Sequence, residues 1–343
     1  MRQFHALALL IICSATFGLS SKTYACELKR PIMFAGLDWD SSRFHNAVAR
    51  FILEKGYGCK TDELPGSTMP LLAGLAKGDI DVMMEIWKLN LGDAWTKQVN
   101  RKKVIEVGVN FPDAEQGWYI PRYLVEGDAK RGIKAKAPDL KKVSQLPKYK
   151  KLFTDPEEPS KGRFINCILG WSCEINNTKK LDAYKLTKDY VNFRPGTSAA
   201  LDAVIASSYK RGKPFVTYYW GPSWILGKYD LVMLEEPAYT KESWEAFNDK
   251  NDLSKVTAFP LTKVLIGSTP QFAKTAPQVV QFLKNYRTKS KDINGALAKL
   301  KDVKGATYDT VAREYLLAHR QDWQSWLPAP VAQKVLSALG DKS

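Results

Sequence analysis

The chain has 343 residues, 45% hydrophobic and 25% charged, with a formal net charge of +15. That length is too great for one typical hydrophobic core and suits two domains. A basic balance can mark a nucleic-acid binder, but the lysine pairs at 141–142, 150–151 and 179–180 are scattered among prolines and acids, and no aromatic-interleaved basic motif occurs. The charge reads as a solvated basic surface, and nucleic acid is excluded as a partner.

Arg2 is followed by an apolar stretch at 6–19 and then by Thr23-Tyr24-Ala25 before Cys26. A basic start, a short apolar run and a small residue at its end read as a secretory signal over 1–25, too short for a membrane helix. The signal carries Arg2 and Lys22 and no acid, so its removal leaves a mature charge of +13. The expected location is the periplasm. Cys13 leaves with the signal, and four cysteines remain, an even number that favours two disulfides in an oxidising compartment. Four cysteines allow three pairings. The short spacing of Cys167 and Cys173 favours that pair and leaves Cys26 with Cys59. The alternative makes Cys26 a lipid-modified N-terminus, for which Thr23 is a poor match, since that signal wants an aliphatic residue there.

Next comes a strand at 31–37, followed by Phe44, Ala47, Val48, Phe51 and Ile52 at helical spacing. Asp40 or Ser41 reads as the N-cap, with Gly56 past the C-terminus. If Cys26 and Cys59 open neighbouring parallel strands, their starting ends meet. A short helix opens at 67–70, runs to 76 and stops at Gly78. Residues 80–87 read as a strand with Met83, Glu85 and Trp87 on one face. Strand–helix alternation implies a parallel sheet with helices on its faces. Residues 118–228 hold α/β material of their own, with the same rhythm at 182–186, 199–210 and 215–220. Amphipathic helices follow at 270–286, 308–326 and 329–339. The pattern is one domain, an inserted second domain and a return: 26–116 and 262–343 form lobe I, and 117–261 form lobe II. Ligands of such proteins bind between the lobes, where strand ends face the cleft.

The cysteine loop Asn166-Cys167-Ile168-Leu169-Gly170-Trp171-Ser172-Cys173-Glu174 holds a tryptophan beside clustered backbone amides. An aromatic face suits a soft cation, and N–H donors suit an anion; together they suit a zwitterion. This loop, the segment 79–87 ending in Trp87, and Tyr218-Tyr219-Trp220-Gly221-Pro222-Ser223-Trp224 resemble the substrate-binding proteins of ABC uptake systems for glycine betaine and proline betaine. The resemblance runs through essentially the whole mature chain. It implies a two-lobed periplasmic binding protein of type II-like α/β fold, with two crossovers near 111–122 and 256–263, and an ABC permease as partner to a monomer. It also implies a box of Trp87, Trp171 and Trp220 around a quaternary ammonium, with the amides of Ser172 and Cys173 on the ligand's carboxylate. The family's histidine four residues after the first tryptophan is Leu91 here, next to Asn90, so the anionic end of the ligand is left open.

The box has its own physical logic. A quaternary ammonium cannot donate hydrogen bonds, and indole faces suit its polarised methyl groups, at roughly 2 kcal/mol per desolvated face. Trp39, at the first strand-to-helix turn, is a further candidate. His45 is a substitute for the missing histidine or else a helix-surface histidine. Glu85 and Asp38 stand near the box, where acids favour a net-cationic ligand such as choline, or else they cap a helix or pair with a lysine. Trp118 and Trp224 read as packing residues, and Trp323 and Trp326 as structural.

His45 and His319 are the histidines left after the signal, and neither stands in a motif with a nucleophile. HExxH, GxSxG and metal-spaced His/Cys clusters are absent from the sequence. No enzyme activity, cofactor or metal is expected. A receptor-coupled sensor on the same fold stays open, as do proline betaine, carnitine, trimethylamine N-oxide and sulfonium analogues as ligands.

Overall fold

A computed structural model describes residues 24–248 and 255–340; the signal reading at 1–25 lies almost wholly outside them. The strands are β1 Ile32–Leu37, β2 Thr61–Gly66, β3 Val82–Ile86, β4 Ile105–Ala114, β5 Gln116–Pro121, β6 Gly162–Ile165, β7 Tyr190–Phe193, β8 Val216–Trp220, β9 Leu231–Met233 and β10 Thr262–Ser268. They form two five-stranded sheets, ordered β2-β1-β3-β10-β4 and β7-β6-β8-β5-β9. The protein is therefore two-lobed and α/β. The chain leaves the first sheet between β4 and β5, at Glu115, and returns through 257–261 into β10. Thr262 pairs with Ala114, so the two crossings lie side by side.

The expectation of a parallel sheet needs correction. β1 runs parallel to β2 and β3, but β10 is antiparallel to both β3 and β4. β5 likewise opposes β8 and β9, while β6 runs parallel to β7 and β8. Strand–helix alternation dictates direction only within βαβ units. Strands next to the crossings arrive without a crossover helix and are free to run the other way.

β1 is apolar on both faces, with Ile32, Phe34, Ala35 and Leu37 fully buried, as expected of a strand covered by helices on both sides. Helix α1, Asp40–Ile52, takes Trp39 as its extended N-cap residue rather than Asp40 or Ser41. Asp40 instead enters the first turn, where its charge suits the positive end of the helix dipole. The helix does not stop before Gly56. A wider turn, Leu53–Tyr57, carries it on to Gly58, in the left-handed region at φ 72°. Gly56 serves packing: a Cβ there would stand 2.7 Å from Val331 Cγ1. Helix α2, Thr68–Lys77, ends at Gly78 at φ 91°, as the sequence suggested. Helices α3, Lys88–Leu91, and α4, Asp93–Asn100, follow β3, and α5, Ser172–Ala183, follows β6.

The helix expected over 270–286 is two, Pro270–Thr275 and Pro277–Asn285, because Pro277 cannot continue a helix from its N-terminal side. A helix over Ser290–Asp302, outside the expected elements, buries Ile293, Ala296 and Leu297 on one face. The stretch 308–326 is likewise divided into Tyr308–Ala318 and Arg320–Gln324. Both disulfides form, Cys26–Cys59 at 2.10 Å and Cys167–Cys173 at 2.11 Å. Cys26–Cys59 joins the entrances of β1 and β2, which pair in parallel from Ile32 opposite Thr61.

Candidate ligand-binding site

Three tryptophans stand where an extended segment turns into a helix. Trp39 precedes α1, Trp87 precedes α3 and Trp171 precedes α5. A fourth, Trp220, is the last residue of β8. Strand ends and the helix starts that follow them face the cleft of an open α/β sheet, so four sequence-distant indoles converge. Trp39, Trp87, Trp171 and Trp220 line one cavity with Thr68, Glu85, Asn90, Ser172, Cys173 and Tyr218. The cavity measures about 30 Å³, room for roughly two waters. Trp171 stands edge-on to Trp39 and to Trp220, each with ring centroids 5.3 Å apart.

Carboxylates fix the rings. Glu85 Oε2 accepts from Trp39 Nε1 at 2.8 Å and from Trp87 Nε1 at 3.0 Å. Asp38 Oδ1 accepts from Trp171 Nε1 at 2.7 Å. Burial pushes Glu85 up to about 7, against the opposing pull of Ser41 and of its two indole bonds, and burial likewise raises Asp38. Trp220 is braced by stacking on Tyr219, with centroids 4.5 Å apart and planes 20° from parallel.

The opposite wall is polar. Ser172 and Cys173 open α5, and the first amides of a helix have no partner within it. They concentrate the positive end of the helix dipole and suit an anion. Gly170, at φ 92°, lets the loop approach the other lobe: a Cβ there would lie 2.7 Å from Ser67 Oγ. Farther along α5, buried Lys180 donates to Glu236 Oε2 and to the carbonyl of Thr257, each at 2.5 Å. The helix that presents Trp171 is thereby tied to the returning crossing. On the third side Asn90 and Gln116 exchange two hydrogen bonds, and Tyr218 donates to Gln116 at 2.7 Å.

Residues 30–318 match the family model described as the substrate binding domain of ABC-type glycine betaine transport systems. The chain belongs to that family. A glycine betaine/proline betaine-binding periplasmic protein of Escherichia coli is 28% identical over 272 residues, covering 76% of this chain and 78% of that protein. A glycine betaine-binding periplasmic protein of Dickeya dadantii is 25% identical over 264 residues, covering 74% and 76%. Among solved structures, a glycine betaine, L-proline ABC transporter binding protein from Borrelia burgdorferi superposes with a TM-score of 0.70 at 17% identity, covering 89% of this chain and all of that one. An ABC-transporter choline binding protein in complex with choline gives 0.69 at 19% identity, covering 92% and 99%. These likenesses support the two-lobed fold. The family is one of substrate-binding transport proteins, and among the described residues no helix is long and apolar enough to cross a membrane.

Within this family member the sequence-selected residues Trp39, Trp87, Trp171, Trp220, Glu85, Ser172 and Cys173 come together at the cavity. His45 does not. It is fully buried behind the wall, with Nδ1 2.8 Å from the Tyr286 hydroxyl and its ring stacked on Phe111. Burial drives its pKa down to about 3. The helix explains the misplacement: α1 is buried on almost every side from Ser41 to Ala49, so a histidine in its second turn meets the core instead of the cleft. Leu91 is also buried outside the cavity, whereas Asn90 lines it. Thr68 and Tyr218 join the lining beyond the residues that the sequence points to. Tyr218 shares the strand of Trp220 two positions earlier, and that period of two could have found it. Trp118 packs in the second lobe and donates to Asn177 at 2.8 Å, and Trp323 donates to the Leu316 carbonyl at 2.6 Å.

Proposed function

We propose that this protein is the extracytoplasmic substrate-binding component of an ABC importer, and that it captures a small quaternary ammonium compound between its lobes. The observation that carries the reading is the convergence of four indoles on one small cavity, which in this closed arrangement must widen to admit the ligand. Desolvated cation–π faces contribute roughly 2 kcal/mol each, and rings fixed by hydrogen bonds lose little further freedom on binding. Amides of Ser172 and Cys173 would receive a ligand carboxylate or hydroxyl. Lobe I comprises 26–116 and 262–343, and lobe II 117–261. The partners are the ligand and an inner-membrane permease; the protein works as a periplasmic monomer. The relatives described as periplasmic betaine-binding proteins support this assignment.

Calorimetric titration of protein unfolded and refolded to remove carried ligand tests the reading. Glycine betaine and choline are expected to bind at micromolar concentrations or below, and glycine and ammonium not to bind. Equal binding of glycine and glycine betaine would remove the role given to the methyl groups.

A further inference from the structure

Glu85 is 1% exposed and forms part of the cavity wall. Its Oε2 accepts hydrogen bonds from both indole N–H groups, while Oε1 is buried and makes no hydrogen bond. The polar atom opposite Oε1 is His45 Nε2, 3.9 Å away, which is also buried and unbonded. The groups packed around the carboxylate are Trp39, Ser41 and His45 from the start of α1, Trp87 after β3, and Tyr286 behind His45. Ser41 stands beside it and, with the two indoles, favours its charged form, although the Ser41 hydroxyl is not in hydrogen-bond geometry with either oxygen. His45 is held neutral by burial, and none of the groups named is a lysine or arginine.

A carboxylate withdrawn from water costs several kcal/mol unless a cation or sufficient donors compensate it. Two indole N–H groups serve one oxygen only. Oε1 is turned toward His45 behind the wall, yet Glu85 is also one of the residues that line the cavity, so a cation bound there would be its nearest compensating charge.

We propose that Glu85 is the counter-ion of the bound ligand, so that this pocket takes a methylated amine of net positive charge in preference to a zwitterion. The inference rests on the quaternary-ammonium reading and adds the ligand's net charge to it. Two effects act in the same direction. The carboxylate attracts the ammonium directly across a site poor in water, where Coulomb energies are large. It also polarises both indoles through their N–H groups, which makes their faces better partners for a cation. A zwitterion brings its own carboxylate into the same small cavity and offsets the first effect.

The test is calorimetric titration of the full, ligand-free protein with choline and with glycine betaine, across pH and in two buffers of different ionisation enthalpy. A bound cation favours the charged form of Glu85. Choline should therefore bind about tenfold more tightly at about pH 8 than at about pH 5.5. Near pH 7 its binding should release protons, read as a buffer-dependent heat, and glycine betaine should show a smaller change. Glu85→Gln keeps the volume and an acceptor for both indoles; it should abolish the pH dependence and most of the preference for choline. Proton release by the unmutated protein needs no variant, so misfolding of Glu85→Gln leaves the question answerable. Binding of both ligands without proton release, or a preference for glycine betaine in both forms, overturns the counter-ion assignment alone. If neither ligand binds, the quaternary-ammonium reading falls and takes this one with it.

Discussion

Trp171 Nε1 donates to Asp38 Oδ1 at 2.7 Å, and this bond joins the two lobes. Asp38 directly follows β1 in the first sheet, and Trp171 immediately precedes α5 beside the second. The same bond turns an indole face toward the cavity and holds the lobes together. A ligand touching both lobes favours the closed arrangement by differential contact. Ligand should therefore reduce the radius of gyration in small-angle scattering. Asp38→Ala should bind more weakly and compact less, whereas Asp38→Asn, which keeps an acceptor, should be milder. Unchanged affinity in Asp38→Ala would show that the bond contributes nothing to closure.

The box itself predicts graded losses. Trp171→Ala and Trp220→Ala should each weaken binding by about 2 kcal/mol or more, since each removes a face from a desolvated site. Tyrosine should be milder than alanine at both positions. By contrast Trp323→Ala should lower stability by about 3–5 kcal/mol through a core cavity and leave the affinity of the folded fraction unaltered. Calorimetry beside thermal unfolding separates the two classes, and native affinity in both box variants would refute the box.

The two disulfides should differ in what they protect. Cys26–Cys59 closes a loop of sequence separation 33 and Cys167–Cys173 one of 6. Chain entropy assigns them about 3–4 and about 2 kcal/mol of stability respectively. Replacing the first pair by serine should mainly lower the unfolding temperature. Replacing the second should mainly weaken binding, because that loop sets Trp171 and the amides of Ser172 and Cys173. The reverse pattern in paired melting and titration curves would refute this division.

Two buried groups give opposite pH dependences to the ligand-free fold. His45 is lowered from 6.5 to about 3, so the unfolded chain binds more protons and stability falls as pH drops from about 6.5 toward 3. Glu85 is raised from 4.5 to about 7, so the folded state binds more protons there, and its contribution falls as pH rises from about 4.5 to 7. At pH 8 the ligand-free Glu85→Gln variant should thus be more stable than the parent, by about 1–3 kcal/mol, with the gain shrinking below pH 5. Denaturant unfolding at both pH values checks the sign; a destabilised variant at pH 8 would show that the charge assistance of the two indole bonds outweighs the cost of the buried charge.

Much of this was legible from local pattern. The strand at 31–37, the stop at Gly78, the two disulfides and the tryptophans at 87, 171 and 220 each rest on spacing within one element or on a resemblance carried by a short motif. Strand direction at β10, the continuation of α1 past Gly56, and the placement of His45 were not legible. Each depends on what packs against the residue: β4 beside β10, Val331 against Gly56, and Phe111 with Tyr286 around His45. The double acceptor role of Glu85 belongs with these. Period-two alternation put it on the face of Trp87, but its second indole comes from Trp39, 46 positions earlier. A sequence specifies which face of its own strand or helix a side chain takes, because backbone geometry repeats every few residues. Which distant faces share a cavity, and whether an acid there meets water, a lysine or two indoles, is decided only when the sheets close and the surrounding solvent is expelled.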